Sequence, residues 1–436
     1  MLHALASMYN VSYGVLGSTI MTFLLGVKQG APTSCFLFTL YVNGLIRKMK
    51  AICEPDGFLT NLHLLLLMDD TCILSTSREG CLRKMKILLD FCSDMDIVIN
   101  QSKTKFMVVN GSEADRAPLE ILHPSSNVTI SYCDDYVYLG AHFTDDGKIP
   151  HCIALQCKDK SKQLVKLLNF LHKNNDAPYA VKKKVVDAAF MSSIMYSCET
   201  WVMSSISHLE PTYISAIKSL LSVRKTTANA LCLLEAGYPP LDDWVKERQR
   251  KYFCRALSRD VSDEDPLYFA ISLHVDAPTP TPIARFLNDC RTSTDNLAFA
   301  GLQALKESVQ NSPRSKFRAY VSMNPSLSIH PVYSSVSIND SVPEYKRMSF
   351  SRLRLISHRL RVETGRWSRI PHDQRLCSCS EAVQTEEHVI CHCPMTLSIR
   401  SLHDDVIFTF PEFFDSPFVK VCDIIHSCIS IVSRYA

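Results

Sequence analysis

The sequence predicts an α+β first part, then a mainly helical region and a small C-terminal module bearing cysteine and histidine. Three observations predict it. Two apolar runs, Leu62–Leu67 and Thr71–Thr76, flank Asp69-Asp70 and lie between helix-spaced segments. From about Lys158 to Leu257 the apolar spacing is largely helical, and six Cys and His residues crowd residues 377–393. At 436 residues the chain exceeds what one hydrophobic core usually serves. The expected divisions are 1–150, 151–275, 276–345 and 346–436.

Composition excludes several classes. Hydrophobic residues make up 46% and charged residues 21%, with 13 Gly and 21 Pro, which rules out collagenous, fibrous and wholly disordered chains. Apolar runs such as Leu64–Met68 fall well short of a membrane span, and no basic stretch followed by an apolar one opens the chain, so the expectation is an intracellular protein. Lys+Arg 47 against Asp+Glu 44 leaves +3, so a nucleic-acid partner must be argued from local clusters. The 18 cysteines mostly stand singly in apolar runs, as buried thiols do.

Element by element, Phe36–Met49 reads as a helix with Ser34 as its N-cap, and Cys81–Met95 as a second helix. The runs around Asp69-Asp70 read as a hairpin, and Ile97–Asn100 and Lys105–Val109 as strands. Further on, Val181, Val185, Ala188, Ala189 and Ser192 share one face of a helix running toward Tyr196. Alternate prolines at 276–282 mark a linker, and Asn311–Val342, rich in Ser, Pro and Asn, reads as a long loop. Lys346–Arg375 carries nine basic residues, with Phe350, Leu353, Ile356 and Leu360 on one helical side. Arg352, Arg354, Arg359, Arg361 and Arg366 would then crowd the other side, either as a grip on phosphates or as a solvated helix face.

Five Asp-Asp pairs occur, so the dipeptide alone is uninformative. Only Asp69-Asp70 sits between two apolar strands, where adjacent carboxylates repel unless a cation neutralises them. Mg²⁺ takes carboxylate oxygens and bridges to phosphates, and an ordinary Asp-favoured turn is the alternative.

Four segments in order around this pair carry a resemblance. Gly26-Val27-Lys28-Gln29-Gly30-Ala31-Pro32-Thr33-Ser34, followed by Phe36-Leu37-Phe38, resembles the second motif of non-LTR retrotransposon (LINE-type) reverse transcriptases. Leu67-Met68-Asp69-Asp70 is similar to that family's aromatic-Ala-Asp-Asp box. Residues Ile99 to Met107 resemble its Asn-x-x-Lys-Thr-Lys-x-Met segment, and Tyr138-Leu139-Gly140 its primer-gripping motif. A weaker likeness continues through Tyr196–Trp201 and Gly237-Tyr238-Pro239.

The resemblance implies a partial right-hand polymerase palm, a helical thumb-like region, and an RNA-directed DNA polymerase that extends a DNA primer on an RNA template from dNTPs using two Mg²⁺. It implies that Asp69 and Asp70 bind Mg²⁺ and that Lys103 donates a proton to the leaving pyrophosphate. Gln29, Gly30 and Ser34 would line the template and nucleotide path, with Tyr138, Leu139 and Gly140 on the primer, and a nuclear location would follow. Leu67 and Met68 depart from the box. The family's first metal carboxylate lies upstream of the Gln-Gly segment, and residues 1–23 contain neither Asp nor Glu. Little or no polymerase activity is therefore expected. The alternative is a non-enzymatic nucleic-acid-binding protein that uses the basic helix and a zinc site.

Cys377, Cys379, His388 and Cys393 follow the spacing C-x-C-x8-H-x4-C. Three thiolates and an imidazole suit a closed structural Zn²⁺ site, with Cys391 and His392 as competing ligands. The set, with Glu386-Glu387-His388 and Cys393-Pro394, also resembles the zinc-knuckle-like motif of the same family.

Overall fold

A computed structural model describes residues 12–16, 19–23, 32–124, 127–202, 204–258, 265–279, 281–292, 296–333 and 342–434. The chain divides into two compact units, Met1–Lys148 and Ile149–Ala436.

In the first unit, β1 (Ser12–Leu16) pairs antiparallel with β2 (Thr19–Phe23). Helix α1 spans Pro32–Ile52, and proline suits a first turn because its missing N–H has no helical partner there. Ser34 therefore lies inside the first turn and is not the cap. β3 (Leu64–Leu67) and β4 (Asp70–Ile73) form an antiparallel ribbon in which Leu67 faces Asp70, leaving Met68-Asp69 as a two-residue turn. Asp70 is thus the first residue of a strand. Helix α2 (Arg78–Asp94) begins where Ser77 Oγ accepts the Gly80 N–H at 3.1 Å. It buries two sides: Ile87 and Phe91 pack with Leu45, Met49 and Leu64, while Met85 and Leu89 meet Leu119, Ile121, Val128 and Ile130. The last four belong to the ribbon of β5 (Leu119–Ile121) and β6 (Val128–Ile130).

β7 (Asp135–Tyr138) and β8 (Ala141–Thr144) form a fourth ribbon. Its turn residues Leu139 and Gly140 have φ of 49° and 79°, the doubly left-handed turn that matches the twist of a hairpin. Among the described residues the strands form four separate two-stranded ribbons and not one continuous sheet.

The strands expected at Ile97–Asn100 and Lys105–Val109 do not form. Asn100 Oδ1 accepts from Ser102 Oγ at 2.7 Å and from the Lys103 N–H at 3.3 Å, and the Asn100 carbonyl accepts from the Thr104 N–H, so the chain turns where it was expected to extend. Of the second run, Phe106 alone makes a bridge, to Tyr132.

The second unit is helical. α3 (Ile149–Lys173) is followed by α4 (Tyr179–Val185), which continues through a widened π turn, Val186–Met191, into Ser192–Ile194. The face of Val181, Ala188, Ala189 and Ser192 is exposed, while Lys182, Val186, Phe190, Met191 and Ile194 face inward. Then come α5 (Glu210–Leu220), α6 (Asn229–Ala236), α7 (Leu241–Leu257), α8 (Pro266–Val275), α9 (Pro282–Thr292) and α10 (Leu297–Gln310). The proline run is the short connection from α8 to α9. The stretch expected to be a loop contains α11 (Ser315–Met323), which buries Phe317, Tyr320 and Met323.

The segment 346–375 is not one helix. α12 (Glu344–Arg354) stops, residues 355–360 are non-helical with Ile356 at φ 53°, and α13 (Arg361–Trp367) resumes. Short turns, α14 (Leu397–Arg400) and α15 (Phe418–Arg434) complete the unit. Phe350 of α12 packs against Phe414 and Phe418 beside α15. No described helix is long and apolar enough to cross a membrane.

Candidate functional site

The β3–β4 ribbon presents Asp69 and Asp70 at its tip, both exposed and, among the described residues, in no ion pair. Met68 holds the turn with φ of 55°, a left-handed conformation that an unbranched side chain tolerates at a cost of about 1 kcal/mol. The base of the ribbon is clasped by a residue that sequence reasoning missed. The Asp56 carboxylate accepts from Ser75 Oγ at 2.7 Å, from the Thr76 N–H at 3.1 Å, from Thr76 Oγ1 and from Lys84 Nζ, whose side chain is 3% exposed. Burial alone would raise its pKa, but these donors outweigh burial and hold the carboxyl well below the usual range. An Asp eight residues before a strand carries no distinctive sequence signal.

The fourth ribbon approaches the first pair. Burial, followed by the nearby Cys72 and Asp70 charges, raises the Tyr138 phenol above the ordinary tyrosine value. Tyr136 Oη donates to the Lys103 carbonyl at 3.2 Å, which ties the Lys103 turn to the same ribbon. Asp70, Tyr138 and the Lys103 turn thus share one region of the first unit. Ser34 is placed on α1, while Gln29 and Gly30 lie outside the described residues.

The second cluster is tighter. One ligand atom from each of Cys377, Cys379, His388 and Cys393 lies within 4.8 Å of all the others. Cys377 Sγ is 3.7 Å from Cys393 Sγ, and Cys379 Sγ is 3.3 Å from His388 Nε2. Tetrahedral Zn–S bonds of about 2.3 Å put sulfurs about 3.7 Å apart, so this donor set fits that ion. A tight reversal makes the first pair: the Ser380 N–H donates to the Cys377 carbonyl at 2.9 Å, Ser380 has φ of 62°, and the Cys377 N–H returns to the Ala382 carbonyl at 2.8 Å.

The other pair depends on a second widened turn, His388–His392, closed by the Cys393 N–H donating to the His388 carbonyl at 2.7 Å. In an α-helix the neighbour of His388 would be His392, four residues on. The π turn shifts that neighbour to the fifth residue, Cys393, and leaves His392 exposed. Cys391 points into the main core, where burial pushes its thiol up to about 12. The turn thus brings Cys393 to His388 and keeps His392 and Cys391 out of the group of four donors.

The four donors differ in how readily they shed a proton. Burial would raise the Cys377 thiol, but the Cys379 N–H, neighbouring thiols and Gln384 more than offset it and lower the pKa. Burial, with Cys377 adding, pushes Cys393 up to about 12. Burial, with His392 and Arg400, keeps the His388 imidazole neutral to lower pH than usual, the form a metal needs. Gln384, 1% exposed, donates from Nε2 to Cys377 Sγ at 3.7 Å and accepts the Arg361 N–H at 2.7 Å, which connects the cluster to the start of α13.

The arginines scatter. Arg354 is buried, with Nε 2.7 Å and Nη2 3.0 Å from the Glu235 carboxylate, so it faces the interior and is not on a phosphate-binding side. Arg352 and Arg359 are exposed, and Arg352 Nε donates to the Ser222 carbonyl at 2.9 Å. Arg361 Nη1 donates to the Leu376 carbonyl at 3.0 Å, and Arg366 pairs with Glu363 at 2.7 Å.

Residues 4–143 match the family model of the reverse transcriptase (RNA-dependent DNA polymerase), a span that falls in the first unit. The matched span includes both acids of the ribbon tip, Lys103 and the Tyr138 turn. No curated protein is significantly similar to the chain.

Proposed function

We propose that the chain derives from a LINE-type RNA-directed DNA polymerase whose palm keeps the metal-binding ribbon tip, and that its second unit holds a structural Zn²⁺. The observation that carries the first part is the family match over 4–143 together with a two-residue turn that presents Asp69 and Asp70, both exposed, at the tip of a ribbon. Two adjacent carboxylates in no described ion pair are a fitting donor set for a hard divalent cation. When bound, such ions stabilise the attacking and leaving oxygens of phosphoryl transfer.

Asp69 and Asp70 would hold such ions, Tyr138 with Leu139-Gly140 would support the primer end, and Lys103 would give a proton to the leaving pyrophosphate. Gln29, Gly30 and Ser34 line the template path. The acids assigned to such a centre are Asp69 and Asp70, and retained nucleic-acid binding without chemistry is the second reading. Against that reading in its basic-helix form stands the internal Arg354–Glu235 pair.

The test is binding of Mn²⁺, as a spectroscopic substitute for Mg²⁺, in the presence of dTTP, alongside primer extension on an RNA template. Binding should weaken at least tenfold in Asp69→Asn/Asp70→Asn. Equal binding by parent and variant would sink the ribbon-tip site.

A further inference from the structure

We propose that the surface around Trp367, at the end of α13, is a docking site for single-stranded nucleic acid, made by an exposed indole ringed by cations that share one buried carboxylate. It lies in the second unit, uses residues outside the ribbon tip, and stands or falls separately from the polymerase reading.

Glu363 is the centre of the arrangement, with a side chain 0% exposed. Lys316 Nζ lies 2.8 Å from its Oε2, Arg366 Nη1 2.7 Å from its Oε1, and Arg224 Nη2 3.7 Å from Oε2. Three cations against one carboxylate leave a positive surplus on a surface where all three side chains remain partly exposed. Arg359, exposed on the adjoining turn, lies close enough for its charge to act on Arg224. One buried anion thus preorganises cations that would otherwise repel one another: the heads of Lys316 and Arg366 are already placed when a phosphate arrives, while Arg224, with Nε and Nη1 buried, supports the indole.

The aromatic element decides the occupant. Trp367 is 55% exposed, and the Arg224 guanidinium lies over its ring at 4.5 Å. A large exposed indole is costly on a surface otherwise this polar, and base–aromatic stacking rewards it. An acidic peptide would satisfy the cations but offers no flat partner for the ring. A duplex keeps its base faces stacked inside, which leaves a single strand as the ligand that uses both elements. The turn before α13 and the helix start are fixed by Ser357 Oγ, which accepts the Arg224 N–H at 2.9 Å, and by Gln384 on the Arg361 N–H.

The experiment is titration of the zinc-loaded full chain with oligo(dT) of about 12 nucleotides, a length matched to single-strand site sizes, reading tryptophan fluorescence and anisotropy across a salt series. Trp201 is buried and Trp244 is partly buried against Tyr213 and Tyr238, so the exposed Trp367 dominates a stacking quench. Trp367→Ala should lose the quench and weaken binding about tenfold, while Trp367→Phe should keep most of the affinity. Arg359→Glu should weaken binding and reduce the slope of log affinity against log salt by about 0.7 or more. Unchanged melting temperatures in Trp367→Phe and Arg359→Glu keep the result readable if Trp367→Ala folds poorly. Three results would overturn the proposal: variants that bind like the parent at every salt concentration, a duplex that quenches as well as the single strand, or polyglutamate that binds with equal dependence on Trp367. The indole signal is local, so its failure leaves the Mn²⁺ test of the ribbon tip untouched.

Discussion

Asp56 governs the ribbon more directly than either tip acid, because it joins the residues before β3 to those after β4 and satisfies Lys84 from below. Removing one partner of a buried pair leaves the other uncompensated, so Asp56→Ala should cost about 3 kcal/mol, read as faster amide exchange across residues 62–77. The sign of the pH effect follows from its depressed pKa. A carboxyl held below its unfolded value of about 3.9 contributes stability that is complete above that value and lost as pH falls toward the folded one. The ribbon should therefore loosen progressively below about pH 4, and Asp56→Asn should flatten that part of the profile. If exchange at 62–77 is equally acid-sensitive in the variant, Asp56 is not the group responsible.

Among the elements, α13 and the sulfur cluster form one cooperative piece. Gln384 stands between them, its carbonyl oxygen on the Arg361 N–H and its amide on Cys377 Sγ, while His358 Nε2 meets the Glu386 carboxylate at 2.7 Å. Partners of ligands orient them, so Gln384→Ala should lower zinc affinity about 10- to 100-fold, measured by competition with a chromogenic chelator. Chelation of the parent should in turn raise exchange in residues 361–367 as well as in 377–393; protection retained in α13 would separate the two. Secondary structure was legible where periodicity was strong, as in α1 and α2, and where a short turn divided two apolar runs, as at Met68-Asp69. It was not legible at Asn100, where a side chain captures backbone N–H groups and turns a β-branched run. Nor was the π turn at His388–His392 readable, since widening by one residue leaves no mark in composition.

At the scale of the whole molecule, charge misled where burial decided. Nine basic residues within thirty positions suggested one cationic helix face, yet Arg347 and Arg354 lie inside the second unit against Glu344 and Glu235. Glu344 stands one turn before Arg347 on α12 and also takes Lys182 from α4, whereas Glu235, on α6, is a partner that no local pattern connects to Arg354. These pairs tie distant helices, so Arg354→Met should destabilise by about 3–5 kcal/mol by stranding Glu235, and adding Glu235→Gln should recover much of it. Chemical denaturation of the single and double variants tests this. Simple additivity would mean that the pair is not coupled. The helical character of the second unit was legible from periodicity, whereas the pairing of the first unit's strands into four separate ribbons, among the described residues, had no mark in the sequence beyond the hairpin at Met68-Asp69.

The one-residue excess at His388–His392 also lets a single short turn serve opposite masters. Val389 and Ile390, both 0% exposed, anchor it in oil, while His388 at its start and Cys393 just past its end belong to the sulfur cluster. Excising one position there would restore ordinary helical pitch and bring a sulfur back to the fourth place, so metal could still be held. Yet the greasy pair would be rotated out of its sockets, and the protein would keep its ion at the expense of its interior.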